Sequence, residues 1–141
     1  MNNTKIGNKT ENKIVDIFRT HSYWVYNTPH KINGQPVDII AINDKNAWLV
    51  DAKHVEEGKV SFSYNRVEPN QITTCLYAFN VANIRNIGFA IEFERTGEVY
   101  WLPFEKYYEE TKKGLKSANM NDLELFRDVL SKAKENNNDE N

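Results

Sequence analysis

The chain has 141 residues, 40% apolar and 27% charged, which indicates one globular domain of ordinary size with a single core. Its 18 basic and 20 acidic residues give a net charge of −2, which excludes the strongly basic composition typical of proteins that bind any nucleic acid through its phosphates. The sequence has no apolar run long enough to span a membrane and no secretory signal, which predicts a cytoplasmic protein. Its single cysteine, Cys75, excludes an internal disulfide.

The first part of the chain predicts one helix followed by three strands. Apolar residues recur at helical spacing across residues 5–20, and Glu11 falls on the same side of that helix as the apolar face. Segments rich in β-branched and aromatic residues follow, and they lie at residues 22–26, 37–42 and 47–53. The turn formers between the second and third of these strands predict a hairpin.

The second part predicts a helix, two strands and two further helices. A helix begins near Pro69, a residue suited to the first helical position, and ends near Asn83. The other predicted elements are strands 87–93 and 98–102, joined by a short turn, and helices 104–113 and 122–134. We assign residues 1–134 to one α/β domain and expect the polar tail, residues 135–141, to be disordered.

Three charged residues lie in strands that should be largely buried. Asp38 interrupts the apolar segment 37–42, and Asp51 and Lys53 share one face of the third strand because side chains alternate along a strand. A charge in such a place is costly unless it is paired or binds a metal. These positions therefore need an explanation beyond folding.

A metal site would explain the three charges. If Asp38 lies beside Asp51, and the first helix packs across their face, Glu11 converges with both acids and Lys53 lies next to them. The backbone carbonyl of Ala52 could add a ligand. Such a set of oxygens suits Mg²⁺, with Mn²⁺ as a substitute.

These residues resemble the signature of the PD-(D/E)XK nucleases, which is formed here by Pro36-Val37-Asp38 and Asp51-Ala52-Lys53. Other segments resemble the Holliday junction resolvases of the archaeal and RecU types within that superfamily: Gly7-x-x-x-Glu11, Asn70-Gln71 and Tyr100-Trp101-Leu102-Pro103-Phe104. The similarity extends from about Gly7 to Phe104. The sequence departs from the resolvases at Asp51, where they commonly have Glu, and in its acidic composition.

The resemblance implies a restriction-endonuclease-like fold, with a central mixed sheet flanked by helices and an αβββαβ core. It implies a Mg²⁺-dependent endodeoxyribonuclease that acts in recombination or repair, with four-way DNA junctions as substrate. Asp38, Asp51 and Glu11 would hold the ion, which lowers the pKa of a bound water and stabilises charge on the phosphate. Lys53 would orient or help deprotonate that water, and Gln71, at a helix N-terminus, would bind the water or a phosphate.

The resemblance also implies contacts with DNA and a symmetric assembly. Lys31, Lys59 and Arg66 flank the expected site and are candidates for contacts with the DNA backbone. A resolvase makes paired cuts in a two-fold symmetric junction, so we expect a homodimer.

The same residues also allow plainer interpretations. Asp51 and Lys53 could form a solvated pair on an edge strand, Glu11 and Gln71 could be ordinary polar helix residues, and the basic residues could lie in simple surface loops. Among functions, the alternatives are a nuclease of restriction or replication that acts on duplex or flapped DNA, and a module with the same fold that binds DNA or protein without cleaving.

Overall fold

The structure, a computed structural model, describes residues 3–28 and 37–139, which form four helices and eight strands. The helices are α1 (Asn3–Thr20), α2 (Pro69–Asn80), α3 (Phe104–Lys112) and α4 (Phe126–Asp139). The strands are β1 (Trp24–Asn27), β2 (Ile39–Ile42), β3 (Ala47–Val55), β4 (Ser61–Ser63), β5 (Asn86–Phe93), β6 (Glu98–Pro103), β7 (Ser117–Asn119) and β8 (Glu124–Leu125). In this part of the chain no helix is both long enough and apolar enough to cross a membrane.

Six strands form a central mixed sheet in the order β1-β2-β3-β5-β6-β8. All pairs are antiparallel except β3 with β5, which run parallel, and α2 lies in the connection between them. A parallel pair requires such a crossover, because a tight hairpin can only join antiparallel strands. The mixed sheet and the predicted hairpins β2–β3 and β5–β6 are therefore confirmed.

Two hydrophobic cores lie on the two faces of this sheet. On one face α1 and α4 pack against the sheet around Phe18, Trp48 and Phe126. On the other face α2 and α3 pack around Phe89 and Phe104. The sheet is thus a central layer between two helical layers, as predicted for the fold class.

The backbones of β5 and β6 approach so closely at Gly88 that a side chain has no space there. A Cβ atom at this position would lie 2.4 Å from the carbonyl oxygen of Leu102 and 2.9 Å from the amide nitrogen of Phe104. Both neighbours are backbone atoms, which cannot move away without disturbing the strand pair. Glycine is therefore required by the sheet itself.

Several boundaries differ from the sequence predictions. Asp38 lies in a bend immediately before β2 instead of inside the strand, and β3 continues two residues beyond Lys53 to Val55. The predicted helix 122–134 begins only at Phe126, after the short strand β8, and continues to Asp139 into the segment expected to be disordered. The pair β4–β7 was not predicted, because both strands have three residues and are rich in polar side chains.

Candidate active site

The site lies where β2 begins and β3 continues beyond it. The backbone N–H of Asp38 donates to the carbonyl of Val50 at 3.0 Å, which places Asp38 across from Asp51. A carboxylate oxygen of Asp38 accepts a hydrogen bond from the N–H of Ala52 at 2.8 Å. The side chain of Asp38 thus provides the acceptor for a backbone N–H of β3 at a point where β2 has not yet begun.

Asp51 is buried, and its carboxylate has an oxygen without a hydrogen bond. Its residue is only 3% exposed, and Oδ2 accepts no hydrogen bond from any described residue. Lys53 Nζ lies 3.0 Å from this oxygen and forms an ion pair with it. Burial raises the pKa of Asp51 well above its ordinary range against the opposing effect of Lys53, and the adjacent Asp38 raises it further.

Lys53 is held in place by oxygen atoms from the connection between β3 and β5. Its ammonium donates to Gln71 Oε1 and to the carbonyl of Arg66, both at 3.3 Å. The lysine side chain is only 13% exposed, and the Asp51 carboxylate supplies its counter-charge. Lys53 is therefore a fixed, partly desolvated cation directed at the carboxylate pair.

Gln71 belongs both to the start of α2 and to the environment of Lys53. Its Oε1 accepts the N–H of Glu68 at 3.1 Å, which satisfies a backbone donor at the helix start. The same oxygen accepts from Lys53, and the residue is 5% exposed. Gln71 is thus a polar residue of the helix start that also contacts Lys53, and its binding of a water or a phosphate stays a prediction.

The expected position of α1 over the Asp51 face is wrong. Residues 48, 50 and 52 of β3 pack toward α1 and α4, whereas Leu49 packs with the core under α2. Because strand residues alternate, Asp51 and Lys53 face α2, on the side of the sheet opposite to α1. Sequence periodicity gave both helices an apolar face but could not assign them to sides of the sheet.

Glu11 lies beside this group, in a separate cavity. It is 5% exposed and lines a cavity of about 310 Å³ with Asn27 and Thr28, at the end of β1. Thr28 connects this cavity to the site, because its N–H donates to the carbonyl of Asp38 at 2.9 Å. Among the described residues no group of three or more His, Cys, Asp or Glu side chains is arranged to hold a metal ion, so Glu11 stays a predicted ligand.

The residues that are present nevertheless fit a hard divalent cation. Two carboxylates lie side by side, and one of them has a buried oxygen without a hydrogen bond. The N–H and C=O of a strand residue point to the same edge, so the carbonyl of Ala52 is directed to the side where its N–H meets Asp38. Mg²⁺ commonly binds through one or two carboxylates and keeps its other positions for water and phosphate.

A groove of about 540 Å³ begins at Lys53 and extends along the end of β3. Two of the three predicted DNA contacts, Lys59 and Arg66, line this groove together with Ser61 and Ser63. The guanidinium of Arg66 already forms one hydrogen bond, since it donates to the carbonyl of His54 at 2.7 Å. The third predicted contact, Lys31, lies outside the described residues.

Sequence reasoning missed a third buried acid, Glu92 of β5. It is 5% exposed and accepts hydrogen bonds from Thr10, at 2.7 Å, and from Lys13, both on α1. Burial raises its pKa, but the hydrogen bonds from Lys13 and Thr10 outweigh this effect and lower it overall. The signal was present, because Glu92 interrupts an apolar strand just as Asp38 interrupts its own segment.

Comparison with solved structures confirms the expected fold. The chain superposes on the Hjc Holliday junction resolvase of Archaeoglobus fulgidus, an archaeal hyperthermophile, with a TM-score of 0.64, covering 88% of this chain and 99% of the resolvase. The fold is that of a Holliday junction resolvase. Sequence identity over this match is 10%, so the likeness concerns architecture. No family model matches the sequence, and neither does any curated protein.

Proposed function

We propose that the protein is a Mg²⁺-dependent endodeoxyribonuclease that cuts branched DNA, with the four-way junction as its main substrate. The observation that carries this proposal is the buried carboxylate of Asp51, which lies beside Asp38 and has Lys53 Nζ 3.0 Å from its Oδ2. A buried carboxylate with a raised pKa next to a lysine is typical of functional sites. The resolvase-like architecture supports DNA as the substrate.

The acidic and basic side chains of the site have different roles. Asp38, Asp51 and the carbonyl of Ala52 would hold the ion, which when bound supplies an activated water and charge stabilisation at the phosphate. Lys53, fixed by Gln71 and the carbonyl of Arg66, is oriented to donate to a phosphate oxygen that gains charge during hydrolysis. Because the ammonium is already positioned, little reorganisation accompanies the reaction.

The groove beside Lys53 supplies the approach for the DNA backbone. Lys59 and Arg66 contribute positive charge there, partly offset by Glu56 and Glu94, and Ser61 and Ser63 contribute hydroxyl groups. These contacts carry no sequence information, which agrees with an enzyme that selects its substrate by shape. Paired cutting of a symmetric junction further requires two copies of the site, so we propose a homodimer.

Cleavage of a four-way junction and of linear duplex with the same arm sequences, with Mg²⁺, Mn²⁺ or EDTA, tests this function. We expect cutting only with a divalent ion, and faster cutting of the junction. Equal cutting of both substrates would reject the junction, and no cutting of any DNA would leave a binding module. Sedimentation of the purified protein tests the dimer.

Lys53→Ala separates catalysis from binding. We expect loss of cleavage by roughly two orders of magnitude or more, since a positioned electrostatic donor typically contributes that much. Binding of uncut junction in EDTA should change little, because Lys59 and Arg66 remain. The matched control is Lys132→Ala, which removes an exposed lysine of α4 that pairs with Glu124. Undiminished cutting by the Lys53 variant would show that the site lies elsewhere.

A further inference from the structure

Two aromatic side chains are exposed side by side on β1, an edge strand of the sheet. Trp24 is 63% exposed and Tyr26 45%, and their rings are nearly parallel, with an interplanar angle of 13° and centroids 6.3 Å apart. Ile42, directly across from Trp24 on β2, is 42% exposed. Large exposed aromatic groups of this kind usually mark an interaction surface.

The aromatic pair lies on the same face of the sheet as the carboxylates. Val25, between the two rings, packs into the core under α1, so Trp24 and Tyr26 point to the opposite face, which Asp51 shares. Tyr26 pairs with Ile40, and Asp38 lies two residues before Ile40, just ahead of β2. From strand spacing, the Cα atoms of Tyr26 and Trp24 lie roughly 8 and 14 Å from that of Asp38.

We propose that Trp24 and Tyr26 form a stacking platform for unpaired bases next to the phosphate that is cut. The proposal rests on the proposed nuclease function and specifies that the bases next to the cleavage position of the bound junction are unpaired on the protein. A strand bound at Asp38 and Asp51 and directed along β1 would bring its next bases over these rings. In a duplex the base faces are already covered by neighbouring bases, so the platform selects for a splayed or single strand.

The position of the platform beside the site favours nucleobases as its occupant. Tryptophan and tyrosine each combine an apolar ring with a polar edge, which matches a base with its stacking face and hydrogen-bonding rim. The platform is also continuous with the site face. A second copy of this chain, paired through the edge strand β1, is the competing occupant and an outcome of the test.

Tryptophan fluorescence gives a direct measurement, because only one of the three tryptophans is exposed. Trp48 and Trp101 are 2% and 7% exposed, so a base that stacks on the protein surface can quench only Trp24. We expect a short oligothymidylate, added in EDTA to prevent cleavage, to quench this fluorescence, and a blunt duplex to quench it much less.

The double variant Trp24→Leu with Tyr26→Ala should bind a labelled oligothymidylate roughly 5- to 100-fold more weakly by anisotropy. Both side chains are exposed, so the fold should be retained, which circular dichroism checks. Tyr77→Ala is the control, since Tyr77 is an aromatic residue of α2 that is 65% exposed, and its binding should equal that of the unmodified protein.

Unchanged fluorescence together with unchanged affinity of the double variant would overturn the platform, whatever the protein cleaves. The platform would also be overturned if the oligonucleotide leaves the fluorescence of the unmodified protein unaffected and the double variant sediments as a monomer where the unmodified protein is a dimer. That result would assign the surface to self-association. Failure of the nuclease proposal is seen separately: quenching in EDTA without cleavage in Mg²⁺ would identify a DNA-binding module that retains the platform.

Discussion

Asp51→Asn should stabilise the folded protein while abolishing cleavage. The carboxylate is 3% exposed, has an oxygen without a hydrogen bond and lies beside Asp38. Burial and the neighbouring acid therefore outweigh the attraction of Lys53, and the raised pKa reports this balance. An amide of the same shape removes the buried charge and leaves Lys53 its acceptors on Gln71 and Arg66.

The expected gain in the free energy of unfolding is about 1–2 kcal/mol at neutral pH, the range usual for relief of a strained functional site. For a domain of this size it corresponds to roughly 3–8 °C in Tm. The gain should depend on pH in a defined direction. Because the folded state holds the proton of Asp51 more tightly than the unfolded state, stability of the unmodified protein falls as pH rises from the ordinary value of 3.8 through the raised pKa.

Urea denaturation at about pH 7 and about pH 4 measures both effects. The Asn variant should be the more stable at the higher pH, and its advantage should shrink at the lower pH. Asp16→Asn, at an exposed position of α1, is the control and should change little. A less stable Asn variant at neutral pH would show that the ion pair with Lys53 outweighs burial, and would refute this reasoning.

Mg²⁺ provides an independent readout of the same carboxylate. A ligand that binds only the folded state stabilises it by about 2.7 kcal/mol at a concentration one hundred times its Kd. The unmodified protein should therefore gain stability with added Mg²⁺, and the Asn variant should gain much less. Equal gains in both proteins would place the ion away from Asp51.

Variants at three further positions test other parts of the structure. Glu92→Gln weakens the charged hydrogen bonds that attach α1 to β5 and should lower the free energy of unfolding by about 1–3 kcal/mol at neutral pH. Because the pKa of Glu92 is lowered in the folded protein, this loss should shrink as the pH falls through that pKa. A loss that does not depend on pH would contradict the assignment. Gly88→Ala should cost about 3 kcal/mol or more, since its Cβ meets backbone of β6, and a neutral result would show that the strands can separate there. Gln71→Ala should slow cleavage roughly 10- to 100-fold and destabilise α2 by about 1 kcal/mol. Gln71→Glu keeps an acceptor oxygen and should therefore retain the helix start. An Ala variant with full cleavage activity would show that Gln71 acts only as a helix cap.

Local patterns in the sequence predicted most of the elements but not how they meet. Periodicity found α1, α2 and both hairpins to within a few residues, because apolar spacing and turn residues act over short stretches of chain. It ended β3 at Lys53, since the last two residues are in the strand only through the parallel partner β5. Such a pairing depends on residues more than thirty positions away, which no local pattern describes.

The candidate site shows the same division. Asp38, Asp51 and Lys53 were recognisable because charge in an apolar strand is unusual, and the structure brings these residues together. The side of the sheet on which Glu11 lies was not recognisable, since α1 and α2 both have an apolar face that fits either surface. The carbonyl of Arg66 as a partner of Lys53 was equally hidden, because any residue has a carbonyl.

The crossover between β3 and β5 links the order of folding to the appearance of activity. Asp38 and Asp51 are neighbours as soon as the hairpin β2–β3 closes, a local event. Lys53 acquires Gln71 and the carbonyl of Arg66 only when the connection has returned the chain to pair β5 with β3, a slower and non-local step. On the proposed function, a nascent or partly opened chain would carry the acids without a positioned ammonium and would not cut DNA until the sheet is complete.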